Sequence, residues 1–363
     1  GETYLERAQS VLDLRRVARE HGHVQEVIVQ NFRAKPDTAL RHRDDLGLTE
    51  YLAAIATARL LLGPRMRIQA PPNLTDAAEF ALLLRAGVDD WGGVSPLTPD
   101  HVNPERPWPH LDELARLTAE AGFVLRERLT VHPEYVQRPD PWIDPRIRPH
   151  VRALADADGL GVEGRAPQGI PWQDPDQSYA GFAAAHSGGR TDLNDTVDTE
   201  GRSSDRRSDF DEVYGDWSQV DEHARDIARR DAEAGLAAVE RLDADVRAGL
   251  ALAADDPAAL AHPDNAALAV ALMSCDGAGL DALARIADDV RRDTVGDDVT
   301  YVVTRNINFT NVCYTGCRFC AFAQRRTDAD AFTLSLDEVG QRVADAWDVG
   351  ATEICMQGGI HPD

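Results

Sequence analysis

The sequence predicts an α/β protein made of parts of two TIM-type (β/α)8 barrels, joined by a linker and a helical segment. Three observations carry this. Over residues 1–158, short β-branched runs alternate three times with helical patterns, and successive βα units imply a parallel sheet. Residues 159–218 are rich in Gly, Asp, Ser, Pro and Arg and lose apolar periodicity. After a mainly helical stretch at 219–296, a strand, a loop, a helix and a second strand follow within 297–363.

Taken in order, residues 4–21 form an amphipathic helix, with Leu5, Val11, Leu12, Leu14 and Val17 near helical spacing. Residues 25–31 (QEVIVQN) read as a buried parallel strand. Residues 48–62 are helical again, closed by Gly63-Pro64. Residues 66–70 form a second strand that runs into Pro71-Pro72-Asn73. Thr75 or Asp76 is placed to cap the next helix, which ends at Gly87. Residues 89–94 (DDWGGV) form a third strand opening into Ser95, and residues 111–121 a further helix. Three strands do not close a barrel, so 1–158 reads as the late part of one. Chemistry on such barrels sits at the carboxyl ends of the strands. Gln30, Asn31, Asn73 and Ser95 lie at those ends and are candidate substrate contacts. The competing reading is that Asn and Ser there only build turns.

The linker is interrupted by Trp172, Tyr179, Phe182, Phe210, Tyr214 and Trp217. That many aromatics favour docking on a neighbouring domain over an exposed tether. Helical patterns follow at 220–234, 236–253, 265–273 and 280–292, and Cys275 reads as a small core residue. In the last block, 299–309 is a strand and 328–332 a polar connector. Ser335 caps a helix with Glu338 at the capping-box position, Gly350 ends that helix, and 352–356 is a second strand. Cys355 reads there as core.

Composition narrows the function. A net charge of −24 argues against a nucleic-acid surface. No signal peptide or membrane-length apolar run is present, which favours the cytoplasm. The chain begins with Gly and stops directly after a strand, so it reads as a piece of a longer protein.

The most specific signal is Cys313, Cys317 and Cys320, a C-x3-C-x2-C pattern holding three of the five cysteines, with Phe319 before the last. Three thiolates so spaced suit three corners of a cubane iron–sulfur cluster, leaving one iron open to a chelating small molecule. A ferredoxin cluster needs a fourth cysteine. Structural zinc also needs four ligands, and the nearest downstream histidine, His361, is remote. The pattern resembles the radical S-adenosylmethionine (SAM) superfamily, whose cofactors are a 4Fe-4S cluster and SAM. Gly358-Gly359, one βα unit later, resembles that superfamily's glycine-rich SAM contact. An iron–sulfur electron-transfer module, a structural metal module and a menaquinone-pathway radical-SAM enzyme are the alternatives.

Residues 306–322 (NINFTNVCYTGCRFCAF) and 356–362 (MQGGIHP) are similar to the second module of bifunctional deazaflavin (FO) synthases of actinobacterial type. Residues 25–32, 69–74 and 90–96 resemble the late part of that family's first module. The resemblance implies Cys313, Cys317 and Cys320 as cluster ligands, and a low-potential electron donor as partner. It implies that the second module uses a SAM-derived radical to cleave L-tyrosine and join its hydroxybenzyl fragment to 5-amino-6-(D-ribitylamino)uracil. The first module then closes the deazaflavin ring with loss of ammonia. With the first module's own cysteine triplet outside this chain, neither half-reaction is expected from these 363 residues alone.

Overall fold

The computed structural model describes residues 2–35, 38, 40–95, 98, 100, 103, 106–162, 244–315, 317, 320, 322–348 and 350–361. The linker aromatics and Phe319 lie outside these residues.

Helix α1 (Tyr4–His21) starts at a Thr3 capping box closed by Glu6 and stops at Gly22 in the left-handed region. Strand β1 (Glu26–Ile28) leads to α2 (Leu48–Leu62) and β2 (Arg67–Gln69). Past Asp76 the chain makes one tight turn, Ala77–Glu79, before α3 (Phe80–Arg85). The expected cap is not made. The Asp76 carboxylate pairs with Arg106 at 3.1 Å instead, and the Thr75 hydroxyl is buried without a partner. Strand β3 (Asp90–Val94) and α4 (Leu111–Glu120) follow, then β4 (Val124–Glu127), α5 (Pro133–Gln137) and α6 (Arg148–Leu154). Sequence reading missed the last three because they are short and their polar residues do not alternate cleanly.

Beyond the linker, α7 is described over 244–255, and α8 (Ala266–Met273) and α9 (Gly277–Val295) complete the helical segment. Strand β5 (Asp298–Asn308), α10 (Leu336–Asp348) and β6 (Glu353–Gln357) end the chain. The Ser335 hydroxyl accepts from the Glu338 amide at 3.3 Å, and the Glu338 carboxylate accepts from the Ser335 amide at 2.7 Å, so the expected capping box forms.

All six strands are parallel and lie in one sheet, ordered β1-β2-β3-β5-β4, with β6 on the far half of β5. Thus β5 lies between β3 and β4, and no barrel closes among the described residues. Its composition explains the position. Val299, Val302, Val303 and Ile307 are buried across both faces, and such a strand is stable when covered on both sides and paired on both edges. One hydrophobic core runs from Ile55, Leu60 and Leu61 of α2 through Ile68 and Trp91 to Leu283, Val299 and Val303.

The Asp89-Asp90 pair ties this together. Successive residues at a strand point to opposite faces. Asp89 faces the helices and meets the fully buried Arg59 of α2 at 2.9 Å. Asp90 faces the other way and meets Arg128 at 2.6 Å.

Candidate metal centre and strand-end cavity

The cysteine loop leaves the carboxyl end of β5. Asn311 anchors it from both sides of its carboxamide: Nδ2 donates to Asp330 O, and Oδ1 accepts from the Phe332 amide, each at 2.8 Å. The Cys313 amide donates to Gln324 O at 3.0 Å and the Gln324 amide to Asn311 O at 2.8 Å, so the loop returns on itself. The Cys320 amide reaches Cys317 O at 3.3 Å. All three thiols are free, Cys313 and Cys320 half-buried and Cys317 exposed. Partial burial pushes the Cys317 thiol up, and the neighbouring sulfurs of Cys320 and Cys313 push it further. Three free thiols on one loop whose backbone is already tied fit the donor set a cubane needs.

Gly358 and Gly359 pack against this loop. A Cβ on Gly359 would stand 2.2 Å from Val312 O and 2.8 Å from Cys313 Cβ, and one on Gly358 would stand 2.6 Å from the Phe309 ring. The Gly359 amide donates to Thr310 O at 2.8 Å, and the Tyr314 amide to Ile360 O at 3.2 Å. Glycine is required here so that the end of β6 can lie on the cysteine loop, whatever else approaches it.

A cavity of about 460 Å³ opens at the strand ends, lined among others by Gln30, Gln69, Asn73, Trp91, Arg128 and Glu353. Of the four strand-end candidates, Gln30 and Asn73 face it. Asn31 instead donates to Leu74 O at 2.8 Å, and the fully buried Ser95 hydroxyl accepts from the Thr98 amide at 2.9 Å. The first ties β1's exit to the segment after β2, and the second holds a local turn. Cys355, expected in the core, is half-buried and lines the cavity, because β6 sits at the sheet's edge with little packed over it.

Below the cavity lies an ionic lattice that sequence reading missed. Arg128 is 3 % exposed and donates to both Asp90 and Glu26, and the His132 ring meets Glu26 at 3.0 Å. Burial alone would raise the Asp90 carboxyl, but Arg128, His132 and the Thr300 hydroxyl hold it below its ordinary value. Glu26, Asp90 and His132 bring ligand atoms within 4.8 Å of one another, but Arg128 already supplies the positive charge there. Burial lifts the Glu353 carboxyl, with Arg128 partly offsetting it, and lifts Glu127 to about 7 against one hydrogen bond from Thr352. No described helix is long and apolar enough to cross a membrane.

No family model and no solved structure matches the chain. Among curated proteins it is 62% identical over 364 residues to the FO synthase of Streptomyces coelicolor, covering 100% of this chain and 40% of that protein. It is 55% identical over 364 residues to the FO synthase of Mycobacterium tuberculosis strain H37Rv, with the same coverage. The 7,8-didemethyl-8-hydroxy-5-deazariboflavin synthase of Methanopyrus kandleri is 48% identical over 161 residues, 44% of this chain and 47% of that protein. The chain therefore spans about 40% of the length of its full-length matches. From its first residue to its last, it aligns with one stretch of the actinobacterial FO synthases.

Proposed function

We propose that this chain carries parts of the two active sites of a deazaflavin-forming radical enzyme. Residues 1–158 belong to the end of a first radical-SAM barrel, 159–218 to a linker, 219–296 to a helical segment, and 297–363 to the start of a second barrel. Cys313, Cys317 and Cys320 hold a 4Fe-4S cluster, and Gly358 and Gly359, with Phe319, shape the place for SAM beside it. Bound there, the pair supplies one-electron cleavage of SAM and hence hydrogen-atom abstraction. The second module's substrates are L-tyrosine and 5-amino-6-(D-ribitylamino)uracil, and the first closes the deazaflavin ring. A low-potential donor supplies the electron, in the cytoplasm.

The observation that supports this best is the position of the cysteines. Three free thiols lie on one hydrogen-bonded loop at the carboxyl end of β5, whose Val312 and Cys313 lie against Gly359. The protein's own part is to fix that loop. Asn311 pins its two ends, and Gly359 lets β6 close over Val312 and Cys313 without a side chain between them.

Anaerobic reconstitution followed by EPR tests the reading. The wild-type protein should take up about four irons per loop, with a spectrum that changes when SAM is added. Replacing any one of the three cysteines by Ala should abolish that signal. Bound zinc, or a cluster whose spectrum ignores SAM, would favour the electron-transfer or structural-metal alternative. The 363-residue chain is expected to leave L-tyrosine unreacted.

A further inference from the structure

Residues 330–334, between the cysteine loop and α10, lie across both ends of that loop. At its entry the Leu334 amide donates to Phe309 O at 2.8 Å, and Thr310 and Thr333 form an antiparallel bridge. At its exit the Phe332 ring stands edge-on to the buried Phe322, with 6.2 Å between ring centroids. Phe322 is only two positions past Cys320. The Asn311 carboxamide adds its two bonds, to Asp330 and Phe332. What the sequence offers as a polar connector is a strap over the base of the loop.

The strap is fastened at one hydroxyl. Thr310 is 1 % exposed. Its Oγ1 donates to Phe332 O at 2.8 Å, meets Thr333 Oγ1 at 2.9 Å and accepts from the Val312 amide at 3.2 Å. A threonine hydroxyl has one proton and two lone pairs. With the proton on Phe332 O, Thr333 donates to one lone pair and the Val312 amide to the other, so the capacity of the group is fully used. The backbone of the same residue reaches β6, since Thr310 O accepts from the Gly359 amide at 2.8 Å. Val312 stands between these two attachments. The Thr310 hydroxyl holds its N–H, and its O is the atom that a Cβ on Gly359 would approach to 2.2 Å. Removing the hydroxyl would take one partner from the Phe332 carbonyl and one from the Val312 amide, in a place water does not reach.

We propose that Thr310 is a positioning residue, whose hydroxyl locks the strap to the cysteine loop and so sets the spacing between Cys313 and the Gly358-Gly359 pair. This rests on the reading of that loop and that pair as the places of the cluster and of SAM. It adds that their spacing is set by a residue that ligates neither.

Two measurements on the full-length protein test it, with Thr310→Val, which keeps the shape and removes the hydroxyl, and Thr310→Ser, which restores it. The first is amide hydrogen exchange before iron is added. In Thr310→Val the Val312 and Leu334 amides should exchange about tenfold faster than in the wild type, while those of α1 are unchanged. The second is a SAM titration of the reconstituted, reduced protein followed by EPR. Thr310→Val should take up as much iron as the wild type but need about tenfold more SAM for half of the spectral change. Thr310→Ser should match the wild type in both. Should Thr310→Val fail to fold, Thr333→Val removes the partner hydroxyl alone and should shift both readouts in the same direction. Wild-type exchange and SAM response in Thr310→Val, or losses that serine does not restore, would overturn the assignment. A wild-type protein that binds no cluster, or whose spectrum ignores SAM, speaks against the broader reading, and the exchange comparison still decides whether the hydroxyl locks the strap.

Discussion

Helices α2 and α10 both carry apolar residues and both pack beside the same sheet, yet they are held in opposite ways. In α2 every residue from Tyr51 to Leu62 is buried, Arg59 included. In α10 only Ala346 is buried, while Leu336 is 90 % and Trp347 65 % exposed. The sequences differ accordingly. Residues 51–62 are apolar all round except Thr57 and Arg59, the pattern of a helix enclosed on all sides, and α10 has an apolar stripe on a charged helix. The N-terminal βα block is therefore fixed by core burial and buried ion pairs. The C-terminal block is fixed by its capping box, its strand ladder and the hydrogen bonds of the cysteine loop.

The sharpest way to break this contrast is at Arg59. Removing it leaves Asp89 buried and uncompensated, so Arg59→Ala should destabilise the fold by about 3–5 kcal/mol in urea unfolding. A loss below about 1 kcal/mol would mean that the ion pair does not organise the block. A pH series on Glu127 comes next. Its folded pKa of about 7 lies above its ordinary value of 4.5. The folded state therefore keeps a proton that the unfolded state has already lost, and stability falls as pH rises from about 4.5 to 7. Relative to wild type, Glu127→Gln should gain up to roughly 3 kcal/mol across that window. Parallel stability curves would refute the burial argument.

At the cysteine loop the expected stability effect is smaller and more local. Gly359→Ala forces the loop away from β6, because its methyl would lie 2.2 Å from Val312 O. It should cost about 1–2 kcal/mol in the thermal melt and most of the bound iron after reconstitution. Wild-type iron content in this variant would show that the close approach is incidental. The smallest effect belongs to α10. Trp347→Ala should change stability by less than about 0.5 kcal/mol, whereas Leu60→Ala in α2 should cost about 2–5 kcal/mol. Similar costs for the two would erase the distinction between the blocks.

Local pattern made much of this legible beforehand. The bounds of α1 and α2 follow from caps and apolar spacing, and the Ser335–Glu338 box from its sequence signature. The cysteine loop was placed at a strand's carboxyl end by order along the chain alone. Other placements needed the folded chain. Asn31 donates to Leu74 O, 43 positions on, Ser95 is tied locally to Thr98, and Cys355, expected in the core, lines the cavity. Strand β4 was overlooked because Arg126 and Glu127 break its apolar run, and only β5, far along the chain, pairs with it.

Sequence alone determined the parallel α/β class, the bounds of α1 and α2 and the three cysteines on one loop, because these depend on neighbours within a few positions. Tertiary structure alone decided that Asp89 and Asp90 lock opposite faces of the sheet. It also decided that β5 enters between β3 and β4, that Gly92 clears a trough for Gln69, and that Gly359 seats β6 on the cysteine loop. Each of these is a contact between residues tens to hundreds of positions apart or across two strands. Burial and close approach at such distances are properties of the packed chain, and no local pattern encodes them.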